Sequence, residues 1–558
     1  GISNSNELLT SFSTQKLGLR APPYSREYTG LSSALTSNEN DHGGYYDFTA
    51  FSKDLRLPTY GKFGYAKQST INIGVEPRRQ VRSPYVEGST NYTRPIPFPR
   101  VLYKRLENFD QRDTGYENFK AQKIVGAKIF SMCQAVRPIS FNKAYESLPK
   151  DTSPGFPLKS SFSNKREAKV VAIKWAQYMK NSLRHEEVRT VLDKVPPCFA
   201  VARRAVQKPG VNKSRLIWAY PMVMSLIEAT FSKPLYDQLL KTKLFGWSIN
   251  FLAGDGQKLF HRMWESLLPI QTFSFGLDWT SYDSQVQRSA ILWAFSVLKH
   301  LLILDPIQEK LFSLVQDYFL NTSILYRKRC YRKVQGVPSG SGFTQIIDSL
   351  VNMYIHTDLI LSVSINSSKL NKWNDIYYYA NFLGDDSIIR LKFGLDRSQF
   401  ADMMRLAGEH HNQKSSVDKS WIIWNEGIRF LDDRDDPDVL KGRVMYLGKT
   451  LENPNEILVD HNKVVAATLL PENPDKKPSD ALTRIIGLAW SIGTTLRSYQ
   501  YLFQQFETIH RKYPGVHPRP FTAQERRMFL TLTTEDISLT FPTWHELCLR
   551  YAPGRRPT

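Results

Sequence analysis

Two strand-like runs, residues 376–383 and 387–393, close on the three-residue turn Gly384-Asp385-Asp386. Their Tyr, Phe, Ile and Leu suit paired strands, and so short a polar break between them predicts a tight hairpin. Gly384 supplies the backbone freedom that such a turn needs. Two carboxylates then stand at the tip of a rigid ribbon. Upstream, Phe273, Phe275 and Leu277 fall on the two-residue period of a strand that ends at Asp278. The pattern predicts two strand ends, distant in sequence, that share their carboxylates.

The rest of the chain mixes these strands with helices. Helical spacing runs over about 160–195, 292–320, 345–358 and from Pro471 to about 510. There is no regular alternation of strand and helix, so the expected class is α+β. A length of 558 residues exceeds one compact core and predicts several packed lobes. The first hundred residues are irregular. Within the Pro-rich stretch 77–99, Arg78, Arg79, Arg82 and Arg94, with Arg100 just beyond, punctuate an extended chain. That stretch either wraps another lobe or touches phosphates, or it is a solvated linker.

Lys and Arg total 74 against 53 Asp and Glu, a formal charge of +21. The excess points to a polyanionic partner, nucleic acid before membrane. No apolar run approaches a membrane span, and no signal pattern opens the chain, so no membrane partner is expected. The four cysteines, Cys133, Cys198, Cys330 and Cys548, are too dispersed for a zinc ribbon or a disulfide framework. They suit a reducing compartment.

Phosphoryl transfer from a nucleoside triphosphate uses two divalent ions about 4 Å apart, held by hard oxygen ligands. Asp278, Asp385 and Asp386 are the candidate ligands, for two Mg²⁺ with Mn²⁺ as a substitute. Gly-Asp-Asp by itself is also an ordinary polar turn, and the flanking strands and Asp278 are what single it out. A rival acidic turn, Asp432-Asp433-Arg434-Asp435-Asp436-Pro437-Asp438, carries more charge, a proline and an arginine, which fits a solvated hairpin tip.

The loop from Gly336 to Thr344 is rich in Gly and Ser and opens a helix. Its small residues admit close approach to a base pair, and the hydroxyls of Ser339 and Thr344 can bond sugars or phosphates. A flexible loop with a helix cap is the plainer reading. It lacks the Gly-Lys-Ser/Thr of a Walker loop, so ATPase chemistry is not indicated. Lys208, Lys213 and Arg215 suit either a triphosphate grip or a solvated hairpin. His410-His411 lacks the i,i+4 spacing of helical metal ligands and reads as a surface pair.

Taken in order, these segments resemble the viral RNA-dependent RNA polymerases, above all those of partitiviruses and related double-stranded RNA viruses. Asp151-Thr152-Ser153-Pro154-Gly155-Phe156-Pro157 resembles motif G, and Lys213-Ser214-Arg215 with Trp218-Ala219-Tyr220-Pro221 resembles motif F. Asp278-Trp279-Thr280-Ser281-Tyr282-Asp283 is similar to motif A. Val337-Pro338-Ser339-Gly340, with Phe343-Thr344-Gln345 and on to Asn352, is similar to motif B. Leu383-Gly384-Asp385-Asp386-Ser387 is similar to motif C. Val417-Asp418-Lys419-Ser420 resembles motif D, and Tyr446-Leu447-Gly448-Lys449 resembles motif E. Leu469-Leu470-Pro471-Glu472 is similar to a segment that follows motif E in partitivirus polymerases.

The resemblance implies a right-hand fold of fingers, palm and thumb, the palm an antiparallel sheet flanked by helices. Residues 1–120 would be an extension bridging fingers and thumb. Residues 121–270 would form the fingers, 271–450 the palm with a fingers insertion at about 291–335, and 451–558 the thumb and tail. Asp278 and Asp385 would bridge the two ions, with Asp386 supporting and Lys419 protonating the leaving group. Lys213 and Arg215 would neutralise the triphosphate. Asp283 would read the ribose 2′-hydroxyl, supported by Ser339, Gly340, Thr344 and Asn352, while Ser153 and Pro154 guide the template. One departure stands out: Asp348 occupies the place where many relatives carry an asparagine, and Asn352 lies one turn further on. Implied partners are an RNA template and product duplex, rNTPs and a capsid protein, inside a virion in the host cytoplasm. A reverse transcriptase and a non-catalytic RNA-binding virion protein are the alternatives.

Overall fold

The structure, a computed structural model, describes residues 68–73, 82–95, 99–160, 162–203, 205–211, 213–264, 272–415, 420–424, 427–429, 444–522, 525–526 and 537–554. Its strands, in chain order, begin with β1 (Gln68–Ile73), β2 (Cys198–Arg203), β3 (Arg215–Ala219), β4 (Phe273–Gly276), β5 (Trp279–Thr280) and β6 (Ser323–Arg332). The hairpin that carries the acidic turn follows as β7 (Tyr377–Leu383) and β8 (Asp386–Leu391), then β9 (Lys414–Ser415), β10 (Trp421–Trp424) and β11 (Gly427–Arg429). A last meander is β12 (Val444–Tyr446), β13 (Lys449–Asn453) and β14 (Glu456–Leu458).

The central sheet runs β11-β10-β4-β8-β7, and every neighbouring pair in it is antiparallel. The expected hairpin is present, with Leu383 paired to Asp386 across the turn. Strand β4 pairs with β8 in the register Phe273 to Leu391 and Phe275 to Ile389. Continued past the end of β4, that register brings Asp278 level with Asp386. The period-2 pattern is therefore what aligns the two strand ends. All four residues of β4 are buried, because the sheet is covered on both faces.

Gly276 is needed for that cover. A Cβ there would lie 2.4 Å from Nε1 of Trp421, which crosses the strand to donate to the Met445 carbonyl at 3.0 Å. The cover on the other side is helical: α1 (Phe119–Met132), α2 (Met222–Lys241), α3 (Thr344–Val363) and α4 (Arg397–His411) join the sheet in one apolar core. Helix α3 is apolar nearly all round and is long enough to cross a membrane, but its residues are buried against neighbouring elements. That is the signature of a core helix in a large domain.

A second core joins helices α5 (Pro478–Trp490) and α6 (Leu496–Lys512) to the β12-β13-β14 meander, and Ile388 and Trp421 of the central sheet belong to it. The third sheet, β1-β6-β2-β3, lies on the other flank, with β2 and β3 antiparallel and β2 and β6 parallel.

The segment 82–95 is an extended wrap rather than a loose linker. Ser83 donates its N–H to Leu469 at 3.0 Å and its hydroxyl to Asp475 at 2.7 Å. Buried Arg94 places Nε at 3.0 Å and Nη2 at 2.7 Å from the Leu470 carbonyl. Next to it, Thr93 exchanges both backbone bonds with Gln207, in the connection between β2 and β3. One extended stretch thus ties two flanks of the molecule. Arg94→Ala should strip the Leu470 carbonyl of its charged donor, at a cost of about 1–3 kcal/mol. The expected result is a melting temperature lower by a few degrees and faster proteolysis within 82–95. An unchanged melt and digest would contradict this.

Candidate active site

Helix α3 holds the acidic turn from below. The Gly384 N–H bonds Ser349 Oγ at 2.8 Å, and the Gly384 carbonyl accepts from Asn352 Nδ2 at 3.1 Å. Asn352 Oδ1 in turn accepts from Trp279 Nε1 at 3.0 Å, beside Asp278. Asn352 is wholly buried, and both ends of its amide are committed. This corrects its placement on the ribose side: it lashes the two carboxylate-bearing segments together. Gly384 itself has φ 58°, the left-handed conformation expected of it.

Asp278 is positioned through its own backbone. Its N–H donates to Ser420 Oγ at 2.9 Å, and the Ser415 hydroxyl reaches its carbonyl at 3.4 Å and Ser420 at 3.0 Å. Asp385 keeps an open face to solvent. Burial of its other sides, then the charges of Asp283 and Asp278, push its carboxyl up to about 6, against the pull of Arg215. Burial likewise takes Asp386 up to about 7, aided by Asp385 and Asp278 and opposed by backbone N–H bonds from Leu447 and Ser387. The structure therefore brings Asp278, Asp385, Asp386 and Asp283 into one field of negative charge. Asp385, raised by burial and by the charges of Asp283 and Asp278, and Asp278 beside it offer hard carboxylate oxygens that suit divalent cations.

Asp348 and Asp283 form a second carboxylate pair. Burial, then the nearby Asp283 charge, drive Asp348 well above the usual range. Asp283 is also raised by burial, but a hydrogen bond from Asp348 and the Arg215 charge favour its anion. Asp348 is the partner that keeps the proton. Its Oδ1 is buried without a hydrogen-bond partner among the described residues, while its carbonyl accepts from the Tyr282 hydroxyl at 2.8 Å.

The Gly/Ser loop packs closely on protein backbone. A Cβ on Gly340 would lie 1.6 Å from the Trp218 carbonyl on β3. Ser339 Oγ donates to the Leu216 carbonyl at 3.2 Å and accepts the Trp218 N–H at 3.3 Å. Buried Thr344 donates to the Pro338 carbonyl at 2.5 Å. These hydroxyl protons stitch the loop to itself and to the strand that carries exposed Arg215, with exposed Lys213 just before it. Sequence reasoning also missed Glu228 of α2, which accepts from the Ser341 hydroxyl and from the Gly342 N–H at 3.2 Å. A lone glutamate in an apolar helix was the available signal.

Of the template pair, Ser153 is exposed, but Pro154 is buried and offers only its carbonyl, to the Met222 N–H at 2.8 Å. Lys165 braces this loop, with Nζ 2.9 Å from the Ser153 carbonyl. Lys419 and the rival acidic turn at 432–438 lie outside the described residues.

The histidine pair is not on the surface as expected. His411 is buried and His410 largely so, and both point at buried Asp358, with N···O distances of 2.6 and 2.9 Å. The other Asp358 oxygen takes Tyr116 and Asn118, each at 2.7 Å. Burial alone would raise Asp358, but the bonds and charge around it, His411 first, bring it to about 2. The ligand atoms lie within 4.8 Å of one another. Yet the two N···O distances are hydrogen-bond lengths, shorter than the roughly 3.3 Å that a tetrahedral zinc keeps between donors. The cluster is a hydrogen-bonded hub that fastens residues 116–118 to α3 and α4.

The model of the family described as viral RNA-dependent RNA polymerase matches residues 72–420. The chain belongs to that family and is an RNA-directed RNA polymerase of the double-stranded RNA virus kind. It is 28% identical over 522 residues to the RNA-directed RNA polymerase of Cryptosporidium parvum virus 1 (strain KSU-1), covering 86% of this chain and 93% of that one. A more distant match, 24% identical over 264 residues, is to the genome polyprotein of avian encephalomyelitis virus (strain L2Z), over 46% of this chain and 12% of the polyprotein. Among solved structures, the RNA-dependent RNA polymerase of a human picobirnavirus superposes with TM-score 0.56 at 13% identity, over 80% of this chain and 89% of that one. Its insertion-loop deletion mutant gives TM-score 0.51 at 13% identity, over 89% and 87%. At such identity the likeness is one of fold, the polymerase right hand.

Burial takes Glu228 up to about 8, opposed by the Ser341 and Gly342 bonds. In the unfolded chain it titrates near about 4.3. The folded state thus retains a proton that the unfolded state releases. The stability tied to it is complete below about pH 4.3 and is lost progressively as pH rises to about 8. Glu228→Gln keeps the neutral shape, so its melting temperature should fall less than that of the unsubstituted chain between pH 5 and 8.5. An equal or steeper fall would sink the assignment of a neutral Glu228.

Proposed function

We propose that this polymerase performs template-directed, two-metal nucleotidyl transfer from rNTPs to an RNA 3′-hydroxyl, replicating and transcribing a viral RNA genome. The observation that carries this is the meeting of Asp278 and Asp385 at adjoining strand ends, each adding to a negative field that Arg215 faces from β3. Two Mg²⁺, or Mn²⁺ in their place, would be held by Asp278 and Asp385, and would supply activation of the 3′-hydroxyl and neutralisation of the triphosphate. The chain's own groups do the rest. Arg215 and Lys213 bind the triphosphate oxygens from the open side. Asp283, whose anion Arg215 and the Asp348 proton favour against burial, accepts from the ribose 2′-hydroxyl. Lys419 delivers a proton to the leaving pyrophosphate.

In this reading residues 121–270 are fingers, 271–450 palm with the 291–335 insertion, and 451–558 thumb. Residues 1–120 bridge fingers and thumb, as the bonds of 82–95 on both flanks support. The net charge of +21 suits a channel for the RNA template and product duplex. A virion interior in the host cytoplasm, beside a capsid protein, is the setting such a polymerase would work in.

The test is elongation of a defined RNA template with Mg²⁺ and all four rNTPs, with and without primer, run beside dNTPs. The unsubstituted chain should extend with rNTPs only. Asp385→Asn should fall to background while its melt and its RNA affinity stay within about twofold. Elongation by Asp385→Asn at the unsubstituted rate would overturn the mechanism.

A further inference from the structure

Asp386 commits both carboxylate oxygens to backbone. Oδ1 accepts the Ser387 N–H at 3.0 Å, and Oδ2 accepts the Leu447 N–H at 2.8 Å. The second bond leaves the hairpin altogether and lands in the turn between β12 and β13. There Leu447 has φ 51° and Gly448 φ 75°. Successive left-handed residues make the tight turn that matches strand twist, and leucine is a poor occupant of the first of them. A strained conformation of this kind persists where its surroundings hold it. The Asp386 carboxylate, which captures the N–H of the strained residue, is one such hold.

Two further bonds run alongside. The Tyr446 hydroxyl donates to Asn381 Oδ1 on β7, and Trp421 on β10 donates to the Met445 carbonyl. Val444 and Tyr446 are fully buried. The 446–449 turn is therefore joined to the central sheet on three sides, and its shortest connection to Asp385 is one peptide, through Asp386.

We propose that Asp386 is a positioning residue and not a metal ligand: it sets the spacing between the 446–449 turn and Asp385. The proposal rests on the polymerase reading, with the 446–449 turn, which resembles motif E, taken to hold the 3′ end of the growing strand. A displaced turn would move the attacking hydroxyl relative to Asp385, and Asp386 is the strut that prevents it. Asn at 386 offers one acceptor oxygen and cannot serve both N–H groups.

The experiment compares Asp386→Asn with Asp385→Asn in the full chain, by two readouts. The first is Mn²⁺ binding without RNA or nucleotide, followed by electron paramagnetic resonance. Asp386→Asn should bind within about twofold of the unsubstituted chain, and Asp385→Asn at least about tenfold more weakly. The second is primed elongation. Asp386→Asn should raise KM for primer–template by about tenfold while kcat falls less than about threefold. Tyr446→Phe, which cuts the parallel tie, should raise the same KM, and the double variant should show less than the product of the two effects. Loss of Mn²⁺ binding in Asp386→Asn equal to that in Asp385→Asn would overturn the proposal. So would a fall in kcat with primer KM unchanged, or independent effects in the double variant. An unsubstituted chain that binds Mn²⁺ but extends no primer would instead defeat the nucleotidyl-transfer reading, and this proposal with it.

Discussion

Mutual repulsion among Asp278, Asp283, Asp385 and Asp386 is the constraint around which this molecule is built. Burial first, and then the charge of the neighbouring carboxylates, drives up the pKa of the two at the turn, and the four would part if their supports allowed it. Each support is backbone-directed. Ser349 and Asn352 grip Gly384, Ser420 grips Asp278, and the Leu447 N–H caps Asp386. None of these bonds needs a bound ion, so the charge is preorganised before any ligand arrives. Such arrangements can stabilise charge that develops in a reaction without reorganising at that moment.

The same economy joins the lobes. Trp421 and Ile388 belong at once to the central sheet and to the core under α5 and α6. Gly340, seated on the Trp218 carbonyl, fuses the Ser339 loop to the strand that carries Arg215. The basic residue that faces the carboxylates is thus referenced to the loop beside them. Across the back, the Asp358 hub ties residues 116–118 to α3 and α4, and 82–95 spans from Leu470 to Gln207. Elements that must keep register during a reaction are connected by buried bonds rather than by chain continuity.

Some of this was legible in the chain. The hairpin at Gly384-Asp385-Asp386 and the alternation ending at Asp278 follow from local composition, and both elements are found within a residue or two of the predicted bounds. The α+β class followed from the same patterns, and the family resemblance in motif order matches the comparison with known polymerases. Side-chain roles were harder. Asn352 and Thr344 have the chemistry of ligand contacts, yet both are buried and bonded within the protein. His410-His411 looked superficial because nothing nearby in sequence announces Asp358 or Tyr116.

What the sequence by itself determined is the set of short-range facts: which stretches alternate, which turn is acidic, which residues are basic, and in what order the motifs come. Those depend on neighbours a few positions apart. What only the tertiary structure decided is which polar groups are already spent. Asp386 is claimed by a residue 61 positions away, Asp278 by one 142 away and Ser341 by one 113 away. A hydrogen bond is satisfied by proximity in space, and burial makes it obligatory. The acidic turn is thus written in the chain, while the division between the carboxylate left open to solvent, Asp385, and the one turned to hold its neighbours, Asp386, is a property of the fold.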